Sequence, residues 1–338
     1  MKAAVFYGKN NIKVEDRECR EMTENELLIK VKACGVCGTD IHIFNGEEGS
    51  APVTPPIILG HEYSGEVVKV GNKVEDIKIG NKVVIDPNIY CGECDYCRNG
   101  KKQLCKNLTA LGVNIDGGFS EYCVVPKKQA YVFDDISFEE AAMVEPTACC
   151  LHGINNIEIK PGDKVLVLGA GAIGLIMLQL AKISGASTVG VSEPIEKRRD
   201  TALGLGADYI LNPMEESFKN DLRKYLGEGP DVIIECTGNK YVIESAFDIA
   251  KKGTKILLFG VSSPDIKVEI SPFEIFKKEL TIKGSLINPD THLSALDLIS
   301  SGKVNVQPII THKFDLDKIE EALEMQKSVE SVKVLIIP

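Results

Sequence analysis

Apolar and polar residues alternate along this chain in two different ways. In the first part the apolar runs are short, as in Ala3 to Tyr7, Leu27 to Val31, Tyr63 to Val70 and Lys82 to Ile85, with turns such as Gly71-Asn72 and Gly80-Asn81 between them. That spacing predicts a β-rich domain. From Val165 onward the runs are continuously apolar: Val165 to Leu168, Thr188 to Ser192, Tyr209 to Leu211, Val232 to Cys236, Lys255 to Gly260 and Leu280 to Ser285, each separated by a helical segment. Strands covered on both faces read this way, and six of them match the two halves of a parallel, doubly wound sheet. An amphipathic helix over Leu316 to Gln326 and a last strand over Val332 to Ile337 follow, and that strand is expected to return to the first domain. The predicted division is 1–147 with 292–338 for the β-rich part, and 148–291 for the sheet and its helices.

The first of the six strands runs straight into Gly169-Ala-Gly171-Ala-Ile-Gly174. A helical pattern to Lys182, a second strand and an acid at Glu193 come next. In this order the first glycine makes the tight turn, the second lets backbone approach a pyrophosphate and the third lets helix pack on strand. The helix N-terminus receives the phosphates. Glu193 lies where a carboxylate accepts bonds from the adenosine ribose and repels a 2′-phosphate, so NAD is expected over NADP. Arg198 either shares a solvated helix face with Lys197 and Arg199 or, as the family resemblance given below implies, reaches the same ribose.

Two cysteine-containing stretches bring in metal chemistry. Cys91, Cys94, Cys97 and Cys105 follow a C-x2-C-x2-C-x7-C pattern in a polar loop. Four thiolates so close can enclose one zinc ion and leave no position for substrate, which makes the site structural. An iron–sulfur cluster is the competing reading, and the absence of a proline after the fourth cysteine counts against it. Upstream, Cys34-Gly-Val-Cys37-Gly-Thr39-Asp40-Ile-His42 and Gly60-His61-Glu62 supply further donors, and no thioredoxin-like pattern surrounds the CxxC pair. Glu139 to Glu145 is a short helical pattern expected to break at Pro146. The other six cysteines, Cys19, Cys34, Cys123, Cys149, Cys150 and Cys236, are read as buried thiols, His152 as a packing residue, and His292 and His312 as solvent-facing.

Composition narrows the class. The 338 residues suffice for about two domains, 44% hydrophobic and 26% charged residues are ordinary for a globular protein, and no run of about 18 apolar residues or signal peptide is seen. A cytoplasmic location is expected. Eleven cysteines in such a chain point to metal or buried thiols. The net charge of −10 disfavours nucleic acid and anionic membranes as partners and leaves a small molecule.

CGVCGTDIH, GHE, the four-cysteine lobe, GGFSEY, Glu145-Pro146, GAGAIG and SLINP together resemble the zinc-containing medium-chain dehydrogenases, in the branch of the alcohol, polyol, sorbitol and threonine enzymes. The resemblance spans essentially the whole chain. It implies an α/β fold with a GroES-like β-rich catalytic domain and a six-stranded parallel Rossmann cofactor domain. It implies about two zinc ions per chain and NAD. Catalytic zinc would be held by Cys37 and His61, with Glu145 standing where alcohol-active relatives have a third cysteine, and with Glu145, Glu62 or water completing the shell. Thr39 would take the proton of the substrate hydroxyl and pass it through the nicotinamide ribose to His42. Ile173, Gly260 and Val261 would join the glycine loop against the cofactor. A glutamate in place of a thiolate leaves room for a fifth ligand, so a vicinal diol or hydroxy-amine is the expected substrate type. Ile43 stands where sorbitol dehydrogenases often have tyrosine, which weighs against sorbitol itself. The implied function is reversible hydride transfer from a secondary hydroxyl of a polyol, sugar or hydroxy-amino acid to NAD+ by a homodimer or homotetramer. The competing classes are a zinc-free quinone reductase, which would not need Cys37 and His61, and a non-enzymatic NAD-binding regulator.

Overall fold

The computed structural model describes residues 1–47 and 52–338. The chain forms two compact units, one of Met1–Ala148, Asn288–Gly302 and Ile310–Pro338, the other of Cys149–Ile287 and Lys303–Ile309.

The first unit is built on mainly antiparallel sheets, with one parallel pair, Ile310–Asp315 beside Lys333–Ile337. Its largest sheet places the strands Ala130–Phe133, Lys82–Ile85, Glu62–Val70, Glu26–Gly35, Lys333–Ile337 and Ile310–Asp315 side by side, and Tyr122–Pro126 also pairs with Glu26–Gly35. Alternation along Glu26–Gly35 sends Leu27, Ile29 and Val31 into a core shared with Tyr63, Val67, Phe119 and Val125. The last strand does return here: Leu335 lies opposite Gly35 in antiparallel pairing, and Gly35 lies opposite Glu62 on its other side. This register sets three chain segments that are far apart in sequence next to one another.

In the second unit the strands Tyr209–Leu211, Thr188–Ser192, Lys164–Leu168, Val232–Glu235, Lys255–Leu258 and Thr281–Gly284 lie in that order, all parallel. The order reverses direction between the third and fourth of these, the switch point at which such sheets open a crevice. Helix Ala172–Ile183 is apolar nearly all round and buries Leu175, Ile176, Met177, Leu178 and Leu180, as a helix covering a sheet must.

Two local expectations need correcting. Pro146 does not break a helix. The break comes at Met143, the C-cap of helix Phe138–Ala142, and Pro146 sits in the first turn of a new helix, Val144–Ile157. A proline is tolerated there because that N–H has no intrahelical partner to lose. His292 is not solvent-facing either. It opens the helix His292–Ser300, is only 1% exposed and lies 5.1 Å from the Tyr131 ring. His312 is partly exposed beside Thr311 Oγ1. Cys34, Cys123 and Cys150 are buried, whereas Cys19, Cys149 and Cys236 are only half-buried. His152 is half-buried, 3.2 Å from Asn156 Nδ2.

Candidate active site and cofactor crevice

Cys37 caps the short helix Gly38–Phe44 at the end of strand Glu26–Gly35. Its backbone N–H donates to Asp40 Oδ2 at 2.8 Å, which holds the turn in place. His61 and Glu62 enter from the start of the neighbouring strand. Gly60, at φ +90°, lets them do so: a Cβ there would come within 2.7 Å of the Phe119 ring and 2.8 Å of Cys34 Sγ. The ligand atoms of Cys37, His61 and Glu62 all lie within 4.8 Å of one another. His61 and Glu62 are buried beside the half-buried Cys37, and three such donors held together are what a site built for a cation shows. A soft thiolate, an imidazole and a carboxylate suit zinc.

Two residues to which sequence reasoning assigned no role complete this centre. Asp40 is fully buried, and its Oδ1 lies 3.5 Å from His61 Nδ1. Burial opposes a proton on His61, but Asp40 and Cys37 outweigh it and hold the imidazole pKa well above its ordinary value. A carboxylate behind a ligating histidine orients its ring. Lys333 forms a buried ion pair with Glu62 Oε2. Burial would lower its pKa, yet Glu62, Cys37 and Glu145 together raise it, so the ammonium stays charged. Gly35 makes room for the pair, since a Cβ there would fall 2.1 Å from Glu62 Oε2 and 2.9 Å from Lys333 Cε. Asp40 stood inside a motif already singled out; the signal for Lys333 was a lone cation in the apolar run Val332 to Ile337.

Glu145 is buried on the first turn of helix Val144–Ile157 and acts on the Lys333 charge, but it is not among the three donors that cluster. Thr39 is half-buried on the helix that Cys37 caps. His42 Nδ1 lies 2.6 Å from Glu47 Oε2, with both side chains partly open to solvent. Ile43 is a core residue.

The four cysteines of the lobe lie together. Sγ separations of 3.4 Å for Cys91–Cys105 and 4.0 Å for both Cys91–Cys97 and Cys94–Cys105 bracket the ~3.8 Å expected of thiolates around zinc at about 2.3 Å. Backbone N–H groups of Cys97 and Lys106 lower the Cys94 pKa to about 6, which favours the thiolate a metal needs.

In the other unit, Gly169 takes φ +98°, and a Cβ on Gly174 would lie 1.9 Å from Gly169 O, so helix and strand approach as closely as the fingerprint requires. A Cβ on Gly171 would meet nothing within 4 Å, and no side chain caps the helix that it opens. Free N–H donors beside open space fit a pyrophosphate. Glu193 is buried at the end of strand Thr188–Ser192; its Oε2 accepts from Ala170 N at 2.7 Å and its Oε1 from Ile195 N at 3.0 Å. Arg199 donates to the backbone oxygens of Glu193 and Pro194, while Arg198 is half-buried on the same helix, Glu196–Gly204. Ile173 and Gly260 are partly exposed and Val261 is open to solvent.

The model of an alcohol dehydrogenase GroES-like domain matches residues 23–135, and that of a zinc-binding dehydrogenase matches 172–301. The chain belongs to the zinc-containing medium-chain dehydrogenases. Within that family it is 33% identical to a sorbitol dehydrogenase of Bacillus subtilis over 100% of this chain and 97% of the relative. It is 36% identical to an L-threonine 3-dehydrogenase of Thermococcus kodakarensis, again over 100% and 97%. A zinc-binding dehydrogenase of Sinorhizobium meliloti 1021 solved with NADP superposes with a TM-score of 0.93 at 39% identity, covering 100% of this chain and 99% of that one. The 2R,3R-butanediol dehydrogenase of Bacillus subtilis does so with 0.91 at 32%, covering 100% and 99%. The protein is thus an alcohol dehydrogenase-type oxidoreductase of the polyol and alcohol class. No described helix is long and apolar enough to cross a membrane.

Proposed function

We propose that this dehydrogenase oxidises a secondary hydroxyl flanked by a second oxygen or nitrogen, in a polyol, sugar or hydroxy-amino acid, with NAD+ as hydride acceptor. The observation that supports it most is the donor set of Cys37, His61 and Glu62, with a second buried carboxylate, Glu145, near the same lysine. Carboxylate in place of thiolate favours a site that accepts two substrate heteroatoms. When bound, zinc would lower the pKa of the substrate hydroxyl and nicotinamide would accept the hydride. Thr39 then takes the hydroxyl proton, and His42, backed by Glu47, delivers it to water. Glu193, already turned towards the glycine loop, favours an unphosphorylated adenosine ribose, although the Sinorhizobium relative was solved with NADP. The exposed edge strand Thr281–Gly284 supports assembly of two or more copies through this sheet.

The experiment is the initial rate of NAD+ and NADP+ reduction with pentitols, hexitols, butanediol, threonine, aldoses, sugar phosphates and simple secondary alcohols, with and without a zinc chelator. A chelator-sensitive rate that is faster with a 1,2-diol or threonine than with the plain alcohol is expected. Equal rates with the plain alcohol would sink the two-heteroatom reading, and equal use of NADP+ would sink the NAD reading.

A further inference from the structure

Three turns meet at the carboxyl ends of the strands Lys164–Leu168, Val232–Glu235 and Lys255–Leu258, and the side chain of Glu235 is bonded into their junction. Glu235 is fully buried. Its Oε1 accepts from Thr237 N at 2.6 Å, from Gly238 N at 3.1 Å and from Thr237 Oγ1; its Oε2 lies 3.2 Å from Gly238 N. Among the described residues its two oxygens are met by backbone N–H groups and a hydroxyl. The backbone oxygen of the same residue accepts from Phe259 N and Gly260 N, at 2.9 Å each. The packing around it is tight. A Cβ on Gly260 would come 2.1 Å from Gly238 N and 2.8 Å from Glu235 Oε2; one on Gly169 would come 2.7 Å from Thr237 Cγ2. Ser262 Oγ closes the junction by donating to Gly238 O at 2.7 Å.

The glycine loop and Glu193 belong to the half-sheet that takes adenosine and pyrophosphate. Val232–Glu235, Lys255–Leu258 and Thr281–Gly284 form the other half, whose turns take the second nucleotide. We propose that Glu235 is a positioning residue for the nicotinamide half of the cofactor, setting the Thr237–Gly238 turn against Gly260–Val261. The inference rests on the dinucleotide reading of this unit. An amide in place of the carboxylate presents N–H to N–H at Gly238, and the turn must shift to relieve it. Misplacement of that size at a binding surface costs affinity where the turn touches ligand and little elsewhere.

The test is titration of the purified full chain with NADH and, separately, with ADP as a probe of the adenosine half. For Glu235→Gln, NADH should bind about tenfold more weakly and ADP within about twofold of wild type, the scale of one lost charged hydrogen bond. The KM for NAD+ should rise more than kcat falls. Should Glu235→Gln fail to fold, Thr237→Val removes the hydroxyl that donates to Glu235 and accepts from Asn239 N, and should show the same split on a smaller scale. Equal weakening of ADP and NADH, or no change in either, overturns the proposal. A wild-type chain that binds neither NADH nor NADPH would overturn the dinucleotide reading itself, which separates the two failures.

Discussion

Removing the ammonium of Lys333 leaves the Glu62 carboxylate buried without its ion-pair partner. Losing one partner of such a pair costs about 3–5 kcal/mol, so Lys333→Met should melt well below wild type after metal removal. A divalent cation supplies the missing positive charge, so the gap between the two melting curves should narrow once zinc is restored. A gap that zinc leaves unchanged would disconnect Lys333 from the metal centre. At the other site, Glu193→Ala removes both the acceptor for Ala170 N and the charge set against a 2′-phosphate. The ratio of kcat/KM for NADP+ to that for NAD+ should rise roughly tenfold or more, the scale of a relieved like-charge contact. An unchanged ratio would mean that specificity is set elsewhere. Local spacing singled out the four lobe cysteines and the glycine loop, because each lies within a short stretch whose residue types point to one chemistry, whereas Cys37, His61 and Glu62 were joined as one set only by the family resemblance. Lys333 escaped because its meaning comes from sheet register, which places Gly35 beside both Glu62 and Leu335.

The lobe and the buried polar network behind it behave as elements. Cys94→Ser removes one of four ligands, so the zinc count should drop by about one per chain and the lobe should become the first site of proteolysis, as detected by mass spectrometry of early cuts. Elsewhere in the same unit, Asp86 N-terminal to Asn88, Asn88 Nδ2 on Asn288 Oδ1 at 2.7 Å, and His292 beside Asn288 form a buried chain. Burial raises the Asp86 pKa to about 7 and lowers that of His292 to about 3. Asp86 therefore contributes stability at low pH that is lost as pH rises through about 7, while His292 contributes stability at neutral pH that is lost as pH falls from about 6.5 towards 3. The two slopes oppose each other between about pH 4 and 6.5. Asp86→Asn should unmask a loss of stability on acidification, and His292→Asn a loss on going from pH 4 to 7, both read from denaturant midpoints. Parallel pH profiles for the two variants would contradict this assignment. The helix start at Val144 was misplaced because proline usually marks a boundary, and only the backbone shows on which side of it the helix lies.

At the scale of the whole molecule, the parallel sheet was the most legible part. Its strands are covered on both faces and so are continuously apolar, whereas the first unit's strands mix polar with apolar positions, and the pairing of distant segments cannot be read from alternation. Ile282, on the exposed edge strand, should matter for assembly: Ile282→Lys is expected to move the protein from dimer or tetramer to monomer in light scattering, and a monomeric wild type would remove the homo-oligomer reading. The pairing of Lys333 with Glu62 also has a consequence in time. The whole of Cys149–Ile287 is translated between the two partners. At about 5–20 residues per second, the ribosome has delivered Cys37, His61 and Glu62 roughly ten seconds to a minute before the lysine exists. Throughout that interval the nascent chain carries all three donors without Lys333, so the metal preference of the unfinished chain is expected to differ from that of the finished protein.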